Sequence, residues 1–223
     1  DLNAIGLDKF HVVYPFIGGT AAAHTLNLMG ADHSITWAGS ALVHDEYGVT
    51  GNRSGYGDTG LALNGIPGAS ITNFHASVYI NLDQGQEGYA AATGITWTDY
   101  VGFYIYPGWW DGDRWMALFG DGSFVNGTTR RTGHLILDIQ DAANQARILD
   151  GEVLTTVNTP NSDQFGLAVA NIYIMATNQI GSVTHPTNKR LAFASYGTKL
   201  TLAEAVAFTA AVRNYQIALG REI

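Results

Sequence analysis

Short apolar runs alternate with turn-forming residues roughly every ten positions along this chain, the pattern of an all-β sandwich or barrel. Ser34–Trp37 is a first such run, stopped by Gly39, and Ala76–Ile80 alternates in the manner of a half-buried strand. Tyr100–Tyr106 (YVGFYIY) is dense in aromatic and β-branched residues, which suit a pleated surface. His134–Ile139 begins after Gly133, and Phe165–Ala176 and Leu191–Tyr196 complete the set. Ala146–Leu149 and Glu152–Val157 flank Asp150–Gly151. Asp-Gly between two apolar runs predicts a hairpin, because a type I′ turn needs positive φ at both central residues.

Only one segment carries a helical period, over about 201–219. Thr201-Leu-Ala-Glu204 forms a capping box: the Thr hydroxyl can accept from the amide three residues on while the Glu carboxylate reaches back. Val206, Thr209, Val212 and Leu219 recur at helical spacing among alanines, and Gly220 stands where a glycine ends a helix. A lone C-terminal helix after many strands is expected to pack across one sheet or its edge. The Asp138–Leu149 stretch (DIQDAANQARIL) would tolerate a helix, but the hairpin at Asp150–Gly151 needs a strand before it, so strand–turn–strand is preferred.

The 223 residues suffice for one sandwich with a real core, and no linker, charge run or internal repeat divides them. One domain over 1–223 is expected. Eleven tyrosines, five tryptophans and 27 glycines fit aromatic strands joined by many turns. The net charge of −8, without a basic stripe, argues against nucleic acid and anionic membrane as partners. No apolar run is long enough to span a bilayer. The absence of cysteine removes disulfides, thiol catalysis and Cys-ligated metals, and fits a bacterial or viral source. The chain starts at Asp1 rather than Met, as a processed chain or a fragment would.

Tyr14-Pro-Phe-Ile-Gly-Gly-Thr20, His24-Thr-Leu-Asn27 and Gly55-Tyr-Gly-Asp-Thr59 are followed much later by Arg190-Leu-Ala-Phe193, Tyr196-Gly197, Leu200-Thr201 and Tyr215-Gln-Ile-Ala-Leu-Gly-Arg221. In this order they resemble concanavalin A-like domains of tailed-phage and prophage virion proteins, from about Phe10 to Arg221. The resemblance implies a concanavalin/laminin-G-like jelly-roll β-sandwich closed by one C-terminal amphipathic helix, forming the distal or C-terminal part of a longer tail, fibre or head protein. It implies adhesion to a host-surface glycan, or a structural place among other virion subunits as a homo-oligomer, and no catalytic motif. Gly51-Asn-Arg-Ser54 departs from the Asn-Gly-Thr-Asn-like stretch common there, so a ligand specificity carried by that loop does not transfer.

Tyr104-Ile-Tyr-Pro-Gly-Trp-Trp-Asp-Gly-Asp-Arg-Trp115 concentrates sugar-binding chemistry. Aromatic faces stack on the C–H faces of sugar rings, and carboxylates and guanidinium groups bond to hydroxyls. Tyr106, Trp109, Trp110, Asp111, Asp113, Arg114 and Trp115 are therefore the candidate carbohydrate site, with Pro-Gly and Asp-Gly pairs predicting a loop. The rival reading places Trp109 and Trp115 in the core or in a subunit contact. Asp111 and Asp113, with Asp121 downstream, would be calcium ligands if other oxygens converged, but turn-forming Asp-Gly pairs explain them and no cofactor is expected.

The seven histidines show no metal-motif spacing and are expected to be satisfied or exposed. Sandwich hydrolases carry carboxylates alternating on one strand. Here Glu46, Glu87 and Glu152 all fall in turn or hairpin contexts, and no nucleophile elbow or P-loop occurs. The expectation is a non-enzymatic virion adhesion protein. A purely structural particle module and a polysaccharide hydrolase or lyase on the same fold are the alternatives.

Overall fold

The computed structural model describes residues 5–40, 42–70, 73–85, 91–98, 101–106, 116–121, 123–126, 132–139, 145–150, 153–158 and 170–222. Its strands begin with β1 (Phe10–Tyr14), β2 (Thr36–Ala38), β3 (Val43–Asp45), β4 (Gly48–Thr50), β5 (Tyr56–Ala62) and β6 (Phe74–Leu82). They continue with β7 (Thr93–Thr98), β8 (Val101–Tyr106), β9 (Met116–Asp121), β10 (Ser123–Asn126), β11 (Gly133–Ile139) and β12 (Gln145–Asp150). The last are β13 (Val153–Asn158), β14 (Asn171–Ile174), β15 (Thr177–Gln179), β16 (Ser182–Thr184) and β17 (Arg190–Gly197), followed by helix α1 (Leu202–Ala218).

The strands form two sheets. The first runs β13-β12-β11-β6-β17-β4-β3, with β1 beside β4 on the same edge of β17. The second runs β10-β9-β8-β7-β14-β5-β2, with the β15–β16 hairpin joined to β7 in parallel. Their facing sides share one core. From the first sheet come Tyr14, Phe74, Val78, Leu137 and Tyr196; from the second, Leu61, Phe103, Ile105 and Ile174. Phe74 meets Phe103 at 5.1 Å between ring centres. Thr93 Oγ1 and the Tyr196 hydroxyl lie 2.5 Å apart, a buried polar tie between the sheets. The all-β sandwich with one closing helix is therefore observed as expected.

The Asp138–Leu149 ambiguity resolves in favour of strands: Leu135 to Ile139 pair with Asp150 to Ala146, while 140–144 lie outside the described residues. Asp150 itself pairs with Val153, which leaves two residues between β12 and β13. In the Phe165–Ala176 run, 165–169 lie outside the described residues and β14 occupies Asn171–Ile174.

Helix α1 begins as its sequence requires. Glu204 N donates to Thr201 Oγ1 at 3.2 Å and Thr201 N donates to Glu204 Oε2 at 2.6 Å. It ends in a Schellman motif: Gly220, at φ +66°, donates to the Ile217 carbonyl, and Arg221 N donates to the Gln216 carbonyl. The buried stripe is Ala205, Phe208, Thr209, Val212 and Gln216. Val206 and Leu219, expected to face inward, are exposed instead. Apolar residues surround this helix, so its period has no single phase, and the bulk of Phe208 sets the rotation. α1 lies across the outer face of the first sheet, where Phe208 packs with Phe10, Val13, Ile136 and Phe193. β6 is thereby buried on both faces, which gives nearly every residue in it a dry environment. No helix among the described residues is long and apolar enough to cross a membrane.

Candidate functional site

Alternation along β8 sends Phe103 and Ile105 into the core and leaves Tyr104 and Tyr106 on the outer face of the second sheet. Tyr106 pairs with Met116, so 107–115 connects β8 to β9. Trp109, Trp110, Asp111, Asp113, Arg114 and Trp115 lie within that connection, outside the described residues. Tyr106 is the one candidate whose surroundings are described, and it is buried. Its ring stacks on Tyr104 at 5.2 Å and 21°, and His185 meets it edge-on at 5.8 Å. Ala91 completes this small cluster, and its amide donates to the His185 carbonyl at 2.8 Å. Asp121 pairs with Val101 at the opposite end of β9 from Met116, about 17 Å along the strand.

The Tyr104 row continues across the sheet. Tyr104 pairs with Gly94, Gly94 with Tyr173, Tyr173 with Asp58 and Asp58 with Thr36. Glycine is required at 94, since a Cβ there would fall 2.7 Å from the Phe103 carbonyl oxygen. Tyr56 lies against Tyr173 with ring centres 4.6 Å apart. Burial, then the Asp58 carboxylate and Tyr56, push the Tyr173 hydroxyl up to about 12, which keeps it protonated at neutral pH. No local pattern joins Tyr173 to Asp58; the β5–β14 register alone brings them together.

At the other side of the sandwich, His24 and His44 approach with their Nδ1 atoms 3.1 Å apart. Trp37 meets the His44 ring edge-on at 4.9 Å, and Phe16 meets His24 at 5.9 Å. Burial, then His44 and Arg221, hold His24 down at about 4. Phe16 has φ +45° and is fully buried; its carbonyl accepts from Arg221 Nη1 at 2.9 Å. The expectation of satisfied or exposed histidines fails here: His24 is buried and its Nε2 has no hydrogen-bond partner among the described residues. The same holds for Nε2 of His134. A separation of 20 positions hides the His24–His44 pair from any spacing rule.

No protein-family model matches the sequence, and no curated protein does. Solved structures do share the fold. Domain 4 of AbnA, a GH43 extracellular arabinanase from Geobacillus stearothermophilus solved with arabinotriose, aligns over 90% of this chain and 98% of its own, with TM-score 0.64 and 13% identity. A Trypanosoma rangeli sialidase mutant displaying trans-sialidase activity aligns over 92% of this chain but only 33% of its own, with TM-score 0.62 and 10% identity. The CBM40 of the Ruminococcus gnavus IT-sialidase, bound to α2,3 sialyllactose, aligns over 78% and 96%, with TM-score 0.51 and 13% identity. At such identities the likeness is one of fold, a β-sandwich related to the jelly roll. The chain matches the arabinanase domain and the CBM40 nearly whole, and a third of the sialidase.

Proposed function

We propose that this chain is a non-enzymatic carbohydrate-binding domain of a phage or prophage virion, one domain over 1–223, that holds a host-surface glycan at the particle surface. The observation that supports the carbohydrate part is the match, over 90% and 78% of this chain, to nearly the whole of two domains solved with bound oligosaccharide. The virion part rests on the sequence resemblance over Phe10–Arg221. The glycan contact is assigned to 107–115, with Trp109, Trp110 and Trp115 as stacking faces and Asp111, Asp113 and Arg114 as polar contacts. The stacked Tyr104 and Tyr106 form a rigid floor where that segment leaves β8. The non-enzymatic reading rests on the missing carboxylate pattern in the sequence.

A glycan array probed with the chain and with Trp109→Ala/Trp110→Ala tests this. Binding to a defined glycan class that falls at least about tenfold in the variant is expected, as loss of aromatic stacking on the scale of about 1–3 kcal/mol known for bases on aromatic side chains would give. Unchanged binding overturns the site, and release of reducing or unsaturated ends from a bound polysaccharide overturns the non-enzymatic reading. A second reading, a particle-assembly module, is favoured by one observation. Leu202, Val206 and Ile217 are exposed apolar residues on α1, the kind of side chain a subunit contact covers.

A further inference from the structure

We propose that His24 and His44 form a two-imidazole site for an exchangeable divalent transition-metal ion, with Cu²⁺ held more tightly than Ni²⁺ or Zn²⁺. The two ligands come from separate parts of the chain. His24 lies in a 3-10 turn, Ala23–Thr25, between β1 and β2, and His44 is the central residue of β3. Their Nδ1 atoms are 3.1 Å apart. An ion bonded to both at about 2.0–2.1 Å, the usual zinc–imidazole distance, would subtend roughly 100°, between the octahedral and tetrahedral angles.

Both rings are fixed by groups other than those nitrogens. The His24 amide donates to the Thr20 carbonyl at 3.0 Å, and His44 pairs with Val49 in the β3–β4 hairpin. Phe16 and Trp37 brace the rings edge-on. Apart from each other, the two Nδ1 atoms have no hydrogen-bond partner among the described residues. The charges facing the pair are the Asp45 carboxylate, which favours a cation, and the Arg221 guanidinium, which opposes one. No third His, Cys, Asp or Glu converges there among the described residues, so water completes the coordination and the ion exchanges. Imidazole ligands with open positions follow the Irving–Williams order, hence the preference for copper. A bound ion would tie the turn after β1 to the β3–β4 hairpin and stabilise the fold in proportion to its occupancy.

The test is Cu²⁺ titration of the whole chain, followed by calorimetry and electron paramagnetic resonance, with Zn²⁺ and Ni²⁺ in parallel thermal-shift measurements. One Cu²⁺ per chain is expected, with hyperfine structure from two imidazole nitrogens and a Tm that rises with metal concentration. His44→Ala should weaken binding at least about tenfold, the scale on which even outer-shell partners matter. His44→Phe, which retains an aromatic ring against Trp37, should do the same while keeping the native circular dichroism, and His33→Ala should bind like the parent chain. A signal from a single nitrogen, equal binding by His44→Phe, or no binding by the parent chain would overturn the site. Glycan-array results do not bear on it, so the two readings fail separately.

Discussion

Lowering the pH from 7 to 5 presses on two histidines that have nowhere to put a proton. His75, on β6, is fully buried beneath α1. Its Nδ1 lies 2.6 Å from the Thr198 carbonyl, to which it donates, and its Nε2 lies 3.4 Å from Ser195 Oγ. Burial holds it down at about 4; the Thr198 carbonyl opposes this in part and the Lys9 charge adds to it. His134, on β11, packs edge-on against Phe208 at 5.0 Å and Phe193 at 6.1 Å. Its Nδ1 is 3.3 Å from Thr209 Oγ1, and burial, then His75, push it down to about 3.

Both folded values lie below the unfolded value of about 6.5, so the unfolded chain binds protons that the folded chain refuses. Stability from this source is complete above pH 6.5. It is lost as pH falls through that value, and the loss ends only below the folded values. Each site loses about 1.4 kcal/mol per pH unit in that window, so each costs about 2 kcal/mol at pH 5 and the pair about 4 kcal/mol. Against a typical total of about 5–15 kcal/mol, that is a large share. Urea denaturation followed by circular dichroism at pH 7, 6 and 5 measures it, with carboxylates still mostly ionised. His11, His24, His44 and His185 are also depressed by burial, so a fall in the parent chain alone does not identify the pair. The discriminating measurement is the His75→Gln/His134→Gln variant, whose stability should fall about 4 kcal/mol less than the parent's between pH 7 and pH 5. An identical fall in parent and variant, or a flat parent profile, refutes the reasoning.

Thr201→Ala removes the hydroxyl that accepts from Glu204 N and should cost about 1 kcal/mol, seen as a Tm lower by about 2–4 °C. Gly48→Ala should cost more than about 2 kcal/mol in urea denaturation, because Gly48 sits at φ +135° and a Cβ would lie 2.2 Å from the Leu191 carbonyl oxygen. Lys189→Met removes a buried ammonium bonded to Asp83 and to the Gly85 carbonyl, and should cost about 3–5 kcal/mol. Adding Asp83→Asn should recover part of that loss in the same assay; no recovery would show that Lys189 acts through packing alone.

Local chemistry was legible where a few neighbouring residues decide the outcome. The capping box and the Gly220 stop each depend on residues close together in sequence and were read correctly; the hairpin was placed, but its two linking positions are 151 and 152, one residue later than the expected Asp150–Gly151. The seat of α1 was not, because the helix offers apolar residues on every side. Which of them are buried depends on the sheet surface beneath: Phe208 finds Phe10, Phe193 and His134 there, whereas Val206 faces outward. The same surface explains β6. A strand with His75, Ser77 and Tyr79 on one side reads as solvent-facing on that side, yet Ser77 Oγ and Ser195 Oγ satisfy each other at 2.8 Å in the dry layer under the helix. Polar residues that face one another across strands look exposed in the sequence and are closed off in the fold. The His75–His134 layer is of this kind, while the His24–His44 pair and the Tyr56–Tyr173–Asp58 group are equally hidden in the sequence but stay partly open to solvent. Each joins strands or turns that only the sheet register brings together, so the chemistry of this sandwich is concentrated where one-dimensional patterns have least to say.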